Sequence, residues 1–395
     1  MLNPLAYRPQ FDSLRGCCHM ISNSLGAMPN RARDLAREYV DVWARRGVRA
    51  WDERWWNLPR EVGNRIGALM NAPADSVAMH LNVTSASATV LSCFDLQGRR
   101  NKVVMVDMEF PSILYLYRAW LEGRGRLEII PSEDGVTIPM DRLLSAIDES
   151  TLLVPISHVL FRSAYIMDVE AIIARAHAVG AMAVLDVFQS LGTVPVDVTG
   201  WNVDFAVGGC LKWLCGGPGA CFLYVRPDLH PTLQPRLTGW MAHDDPFAFD
   251  HGPIAYTSGS YRFLNGTPNI PALYNCQPGL EIVDQIGIAA IRERSVHMTE
   301  RLLTMARERG WPVTTPADSS RRGGTVAINV LRAQEVAAEL HARNFLVDYR
   351  PDAGIRLSPH FYNTDEELGA VMGEIEAIMS SAAHTIRPRT QPTAP

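Results

Sequence analysis

The sequence predicts an α/β fold, with a mostly parallel sheet flanked by helices and a smaller α+β unit at the C-terminal end. Three observations carry this reading. Between residues 75 and 225, short apolar runs alternate with helical stretches, as parallel strands covered on both faces require. After residue 270 the rhythm changes to long helices with a few short strands. At 395 residues, the chain is too long for one small core, which argues for two units.

Residues 1–60 are expected to form an N-terminal arm and helix. Pro4, Pro9, Gly16, Gly26 and Pro29 break the first 30 residues. Residues 31–45 show amphipathic helical spacing in Leu35, Tyr39, Val40 and Trp43. Trp51, Trp55 and Trp56 follow as an aromatic cluster, read either as packing on a neighbouring surface or as a dimer seam or substrate entrance.

Residues 61–265 are expected to form the large domain. Its strands are read at 76–80, 103–106, 127–130, 152–156, 181–186, 203–207 and 220–225, and its helices at 85–94, 112–123, 139–148 and 169–179. Residues 266–384 are expected to form the small domain. It is read as helices at 272–285 and 288–309, strand 324–329, helix 333–343, strands 345–349 and 354–358, and helix 364–381. The Pro- and Thr-rich tail, 385–395, is expected to be disordered.

Composition narrows the function. Hydrophobic content of 47% and charged content of 20% describe an ordinary globular protein. A net charge of −5 with dispersed arginines argues against a nucleic-acid partner. No apolar stretch reaches 18 residues, and residues 1–5 lack a basic-then-apolar signal, so a cytoplasmic protein without a membrane segment is expected. The seven cysteines show no ligand spacing and read as free thiols, with no metal site.

Lys212 carries the chemistry. It lies in Cys210-Leu211-Lys212-Trp213-Leu214-Cys215, followed by a Gly/Pro turn. An ammonium buried there costs several kcal/mol unless it is neutral or covalently consumed. An aldehyde cofactor consumes it. Asp186 ends the apolar run Ala183-Val184-Leu185 and is a second buried charge. Pyridoxal 5′-phosphate explains both: the lysine holds the aldehyde, and the aspartate keeps the ring nitrogen protonated as an electron sink.

Other residues fall at predicted strand ends, where a doubly wound sheet binds ligands. Thr84 and Ser85 open a helix, where hydroxyls and free N–H groups suit a phosphate, although ordinary capping uses the same residues. Phe110 could stack on a flat ring or belong to the core. Arg162, beyond Ser157-His158, could meet a substrate carboxylate. Gln189, three residues after Asp186, could bond the cofactor's phenolic oxygen.

In this order, these residues resemble the fold-type I enzymes of aminotransferase class V, over nearly the whole chain. Within that class the chain looks most like the kynureninase branch. The similarity runs through Asn23-Ser24-Leu25-Gly26, Phe110-Pro111-Ser112, Lys212-Trp213-Leu214, Gly239-Trp240 with His243, and Ile355-Arg356-Leu357-Ser358-Pro359. The resemblance implies that Thr84 contacts the phosphate, Phe110 stacks on the ring, and Trp240 reaches the phosphate or substrate side. It implies that His243 lies on the substrate side and that Arg356 grips the substrate α-carboxylate with its planar fork. Thr267, in Gly266-Thr267-Pro268, matches a threonine that reaches a partner subunit's phosphate, which implies a homodimer with shared sites.

Departures redirect the chemistry. Kynureninases carry His at the position of Gln189 and Tyr at that of Leu211. Gln189 and Gly266-Thr267-Pro268 look more like the cysteine desulfurase and isopenicillin N epimerase branches. A desulfurase needs a nucleophilic cysteine on a C-terminal loop, and the last cysteine here is Cys276. The expected activity is therefore a lyase that cleaves a Cβ bond of an α-amino acid: C–S of a cysteine conjugate, or C–C as in kynureninase. The alternatives are an aminotransferase, an epimerase, or decarboxylating or oxidative chemistry on the same cofactor.

Overall fold

A computed structural model describes Asn3 and residues 6–381. The tail at 385–395 lies outside the described residues.

The arm contributes strand β1 (Cys18–His19), helix α1 (Arg31–Arg46), a π-helical turn at Trp51–Trp55, and helix α2 (Leu58–Leu69). Sequence patterning does not predict α2, because Gly63 and Gly67 weaken its helical signal. Those glycines are packing devices: a Cβ at Gly63 would lie 2.7 Å from the carbonyl oxygen of Val77.

The large unit alternates strands and helices: β2 (Val77–His80), α3 (Val83–Leu91), β3 (Lys102–Val106), α4 (Pro111–Leu121), β4 (Arg126–Ile130) and α5 (Met140–Ala146). It continues with β5 (Thr151–Ser157), α6 (Val169–Ala178), β6 (Met182–Asp186), β7 (Phe205–Gly209) and β8 (Cys221–Val225). These strands form a seven-stranded sheet in the order β2-β8-β7-β6-β5-β3-β4. All neighbours are parallel except those of β8, which runs antiparallel to both β2 and β7. Central strands such as β3 and β7 are buried at every position, whereas β4, at an edge, alternates.

The remainder comprises α7 (Ile270–Ile286), α8 (Ile288–Glu308), β9 (Val326–Ile328), α9 (Ala333–Ala342), β10 (Phe345–Leu346), β11 (Asp348–Arg350), β12 (Gly354–Leu357) and α10 (Asp365–Ser380). Strands β11, β12 and β9 form an antiparallel sheet. The single strand expected at 345–349 is two strands, because β10 pairs with β1 and β11 with β12. The core of α8, α9 and α10 is separate from the large core and includes Met20 from the arm. Helix α7 instead buries Leu273, Tyr274 and Leu280 in the large core. No helix among the described residues is long and apolar enough to cross a membrane.

Helix α7 also packs on the lysine-bearing loop. A Cβ at Gly279 would lie 2.0 Å from the carbonyl oxygen of Leu214. Replacing a helix-interior glycine by alanine ordinarily stabilises by about 1 kcal/mol. Here the sign should reverse. Gly279→Ala is expected to lower stability by about 1–3 kcal/mol through overpacking, measured as a drop in the urea midpoint.

Candidate active site

The carboxyl ends of β2, β5 and β6 and the loops after β3 and β7 open on one cavity of about 440 Å³. Its wall includes Thr84, Phe110, Asp186, Gln189, Lys212 and Arg356. The sheet places Asp186, the last residue of β6, beside Ser157, the last of β5.

Lys212 lies three residues past β7. Its Nζ stands 4.3 Å from the ring centre of Phe188 and 5.6 Å from that of Phe110. Aromatic faces thus receive its charge. Burial pushes the ammonium down to about 8, against the opposing pull of Asp186. Burial also pushes the Asp186 carboxyl up to about 6, although the Phe188 N–H donates to Asp186 Oδ1 at 2.8 Å and Lys212 lies nearby.

Gln189 is held at both ends of its amide. Trp213 Nε1 donates to Gln189 Oε1 at 3.1 Å, and Gln189 Nε2 donates to the Asn23 carbonyl at 3.0 Å. One N–H of the amide remains uncommitted by these bonds. Thr84 sits in the first turn of α3, which Asn82 caps by accepting from the Ser85 N–H at 2.8 Å.

Arg356 is 2% exposed. It lies on β12 directly across from Asp348 on β11, with which its guanidinium pairs. It also donates to the Phe161 carbonyl. Asp348 holds Arg350 at 2.7 Å, and Arg350 reaches the same cavity.

Five residues expected at the site stand off the cavity wall of a single chain. The Ser85 hydroxyl is used locally, donating to the Asn82 carbonyl at 2.8 Å. Arg162 sits over the Phe161 ring at 5.6 Å and 4.0 Å from Asp352. Trp240 packs edge-on against Trp56 and Phe247 at 5.7 Å each. His243 Nδ1 bonds within its own turn to the backbone of Asp245. Thr267 is exposed. The cluster of Trp51, Trp55 and Trp56 also lies away from the wall, packing on Tyr39 and Trp240.

Sequence reasoning missed Glu109. It is 2% exposed and accepts from the Ser157 N–H at 2.9 Å, with the Ser157 hydroxyl also in contact. Burial, reinforced by the proximity of Asp186, pushes its carboxyl up to about 8. The available signal was a charge between an apolar strand and Phe110-Pro111.

A family model for aminotransferase class-V matches residues 33–371. The chain belongs to the aminotransferase class-V family. It is 31% identical over 374 residues to the uncharacterized aminotransferase YcbU of Bacillus subtilis (strain 168), covering 95% of this chain and 98% of that one. It is 28% identical over 391 residues to the kynureninase of Bacillus thuringiensis subsp. konkukian (strain 97-27), covering 94% and 91%. Among solved structures, the apo cysteine desulfurase of Thermococcus onnurineus NA1 shares the fold with a TM-score of 0.85 at 23% identity, covering 96% and 98%.

The cofactor of this class-V enzyme is pyridoxal 5′-phosphate, and the cavity fits it. A lysine with a depressed amine stands ready for an aldehyde. A desolvated carboxyl at Asp186 suits a protonated ring nitrogen. Phe110 offers an apolar face, 43% exposed, and the first turn of α3 offers backbone N–H groups to a phosphate.

Glu109 has a measurable signature. Its raised value means that its contribution to stability is complete below about pH 4.5 and is lost as pH rises through about 8. In cofactor-free protein, the urea midpoint of the wild type relative to that of Glu109→Gln should fall as pH rises from about 4.5 to about 8. A midpoint difference that stays constant over that range would overturn the raised value of Glu109.

Proposed function

We propose that this class-V enzyme is a lyase that cleaves a Cβ bond of a small α-amino acid, with C–S of a cysteine conjugate the favoured bond. One observation carries the reading: burial brings the Lys212 amine on the cavity wall down to about 8, while Asp186, brought up to about 6, is taken by the ring nitrogen. Among the described residues the wall carries no His or Tyr, and the Cys221 thiol there is pushed up to about 12 by burial.

Pyridoxal phosphate, when bound, supplies an aldehyde for the substrate amine and a ring that accepts the electrons released at Cα. Asp186 holds the proton on the ring nitrogen. Arg356 takes the α-carboxylate and orients Cα. Lys212, freed by the incoming amine, withdraws the Cα proton. Phe110 covers one face of the site, and Phe161, edge-on to it at 5.4 Å, helps exclude water. A thiolate, with an ordinary value near 8.5, then departs without an acid to protonate it. Hydrolysis at a γ-carbonyl would need a further acid or base, and Leu211 occupies the place where kynureninases carry tyrosine. Epimerisation would need a second proton carrier on the opposite face.

The second reading is an aminotransferase, favoured by the name of the Bacillus subtilis relative. Transamination too would need one proton carrier, and Lys212 would supply it. Both readings share a cytoplasmic homodimer. The exposed Thr267 and the exposed faces of Trp240 and Phe247 support a partner subunit that covers them.

Purified enzyme incubated with S-substituted L-cysteines should yield pyruvate, ammonia and a thiol. Pyridoxamine phosphate accumulating without thiol would favour transamination instead. Lys212→Ala should abolish turnover and the visible absorbance of the lysine-bound cofactor. Unchanged spectrum and activity would sink the cofactor assignment for this residue.

A further inference from the structure

Asn23 presents a side chain that the fold leaves unanswered. It is 1% exposed, and neither Nδ2 nor Oδ1 has a hydrogen-bond partner among the described residues. Buried amides are rarely left this way unless something outside the chain completes them. Asn23 lines the same cavity as Lys212, Gln189 and Arg356.

Its placement is fixed from several sides. Two residues before it, Ile21 bridges Ser358, and the Ser358 N–H donates to the Met20 carbonyl at 2.7 Å. The Asn23 carbonyl accepts from Gln189. Three residues after it, the Gly26 N–H donates to the Leu211 carbonyl at 2.9 Å. The backbone around Asn23 therefore joins the strand of Arg356 to the loop of Lys212. Arg356 carries a matching gap: its buried Nε also lacks a partner. Two residues that line one cavity thus each hold a buried donor without a partner, and an anion is the acceptor that would complete both. An α-amino acid whose amine is taken up by the cofactor still presents a free carboxylate to them.

We propose that Asn23 is a substrate-binding residue that shares the α-carboxylate with Arg356. This rests on the reading of the cavity as an amino-acid site. The probe is L-alanine, which has no Cβ leaving group, titrated into the holoenzyme by cofactor absorbance and compared with L-alaninamide, which lacks the carboxylate. Asn23→Ala should weaken L-alanine about tenfold to a hundredfold, the range for a hydrogen bond to a charged group, and leave L-alaninamide unchanged. Asn23→Leu should behave alike, and its cofactor-free melting temperature should hold or rise, because no native bond is lost. Equal weakening of both ligands, or a lowered melting temperature in both variants, would make Asn23 a structural residue and overturn the proposal. A responsive wild type with unaltered variants would overturn it alone. A wild type that holds cofactor but ignores L-alanine would overturn the amino-acid reading with it.

Discussion

Everything at this site depends on where one backbone loop is pinned. Residues 210–219 carry Lys212, and three glycines let other segments press directly on them. A Cβ at Gly26 would lie 2.1 Å from the Lys212 carbonyl oxygen, and one at Gly279 would lie 2.0 Å from that of Leu214. Gly216 sits against the Cβ atoms of Cys210 and Cys276, at 2.6 and 2.8 Å from a Cβ of its own. Cys215 adopts a left-handed φ of 51°, a conformation that costs energy outside glycine and persists where packing dictates it. The arm on one side and α7 on the other thus set the lysine against Asp186.

Around that loop the protein answers each desolvated charge differently. Lys212 rests on ring faces and loses basicity. Asp186 receives one backbone N–H and waits for a cation. Glu109 keeps its proton and is held by Ser157. Arg356 has Asp348 as a permanent counterion, so a positive charge survives at a position almost closed to solvent. In and beside one cavity, groups shifted by burial thus titrate near neutrality, while the charge of Arg356 is paired.

The legibility of the sequence followed the same division. Charges set among apolar residues, Lys212 and Asp186, betrayed themselves without any structure. Strand and helix order was equally plain, since continuous apolar runs separated by helices admit few architectures. Helix α2 was hidden because its glycines serve tertiary packing that a local pattern does not encode. The second-tier contacts were hidden for the same reason. Nothing in a linear reading brings Glu109 under Ser157 or shows that the Ser85 hydroxyl is occupied within its own helix cap. Asn23 carried only a family likeness; its unpaired amide exists only once residues 18–26 fold back on strand β12.

That fold-back joins cavity-lining groups of different origin. Thr84, Phe110, Asp186, Gln189 and Lys212, which the proposed function sets against the cofactor, come from the middle of the chain. Asn23, Arg350 and Arg356 come from its two ends, joined by the pairing of β1 with β10. Altering the ends therefore reaches both groups at once, because the same N-terminal segment holds Gln189 through the Asn23 carbonyl and the Lys212 loop through the Gly26 N–H. The two halves of the cavity are built to be inherited together.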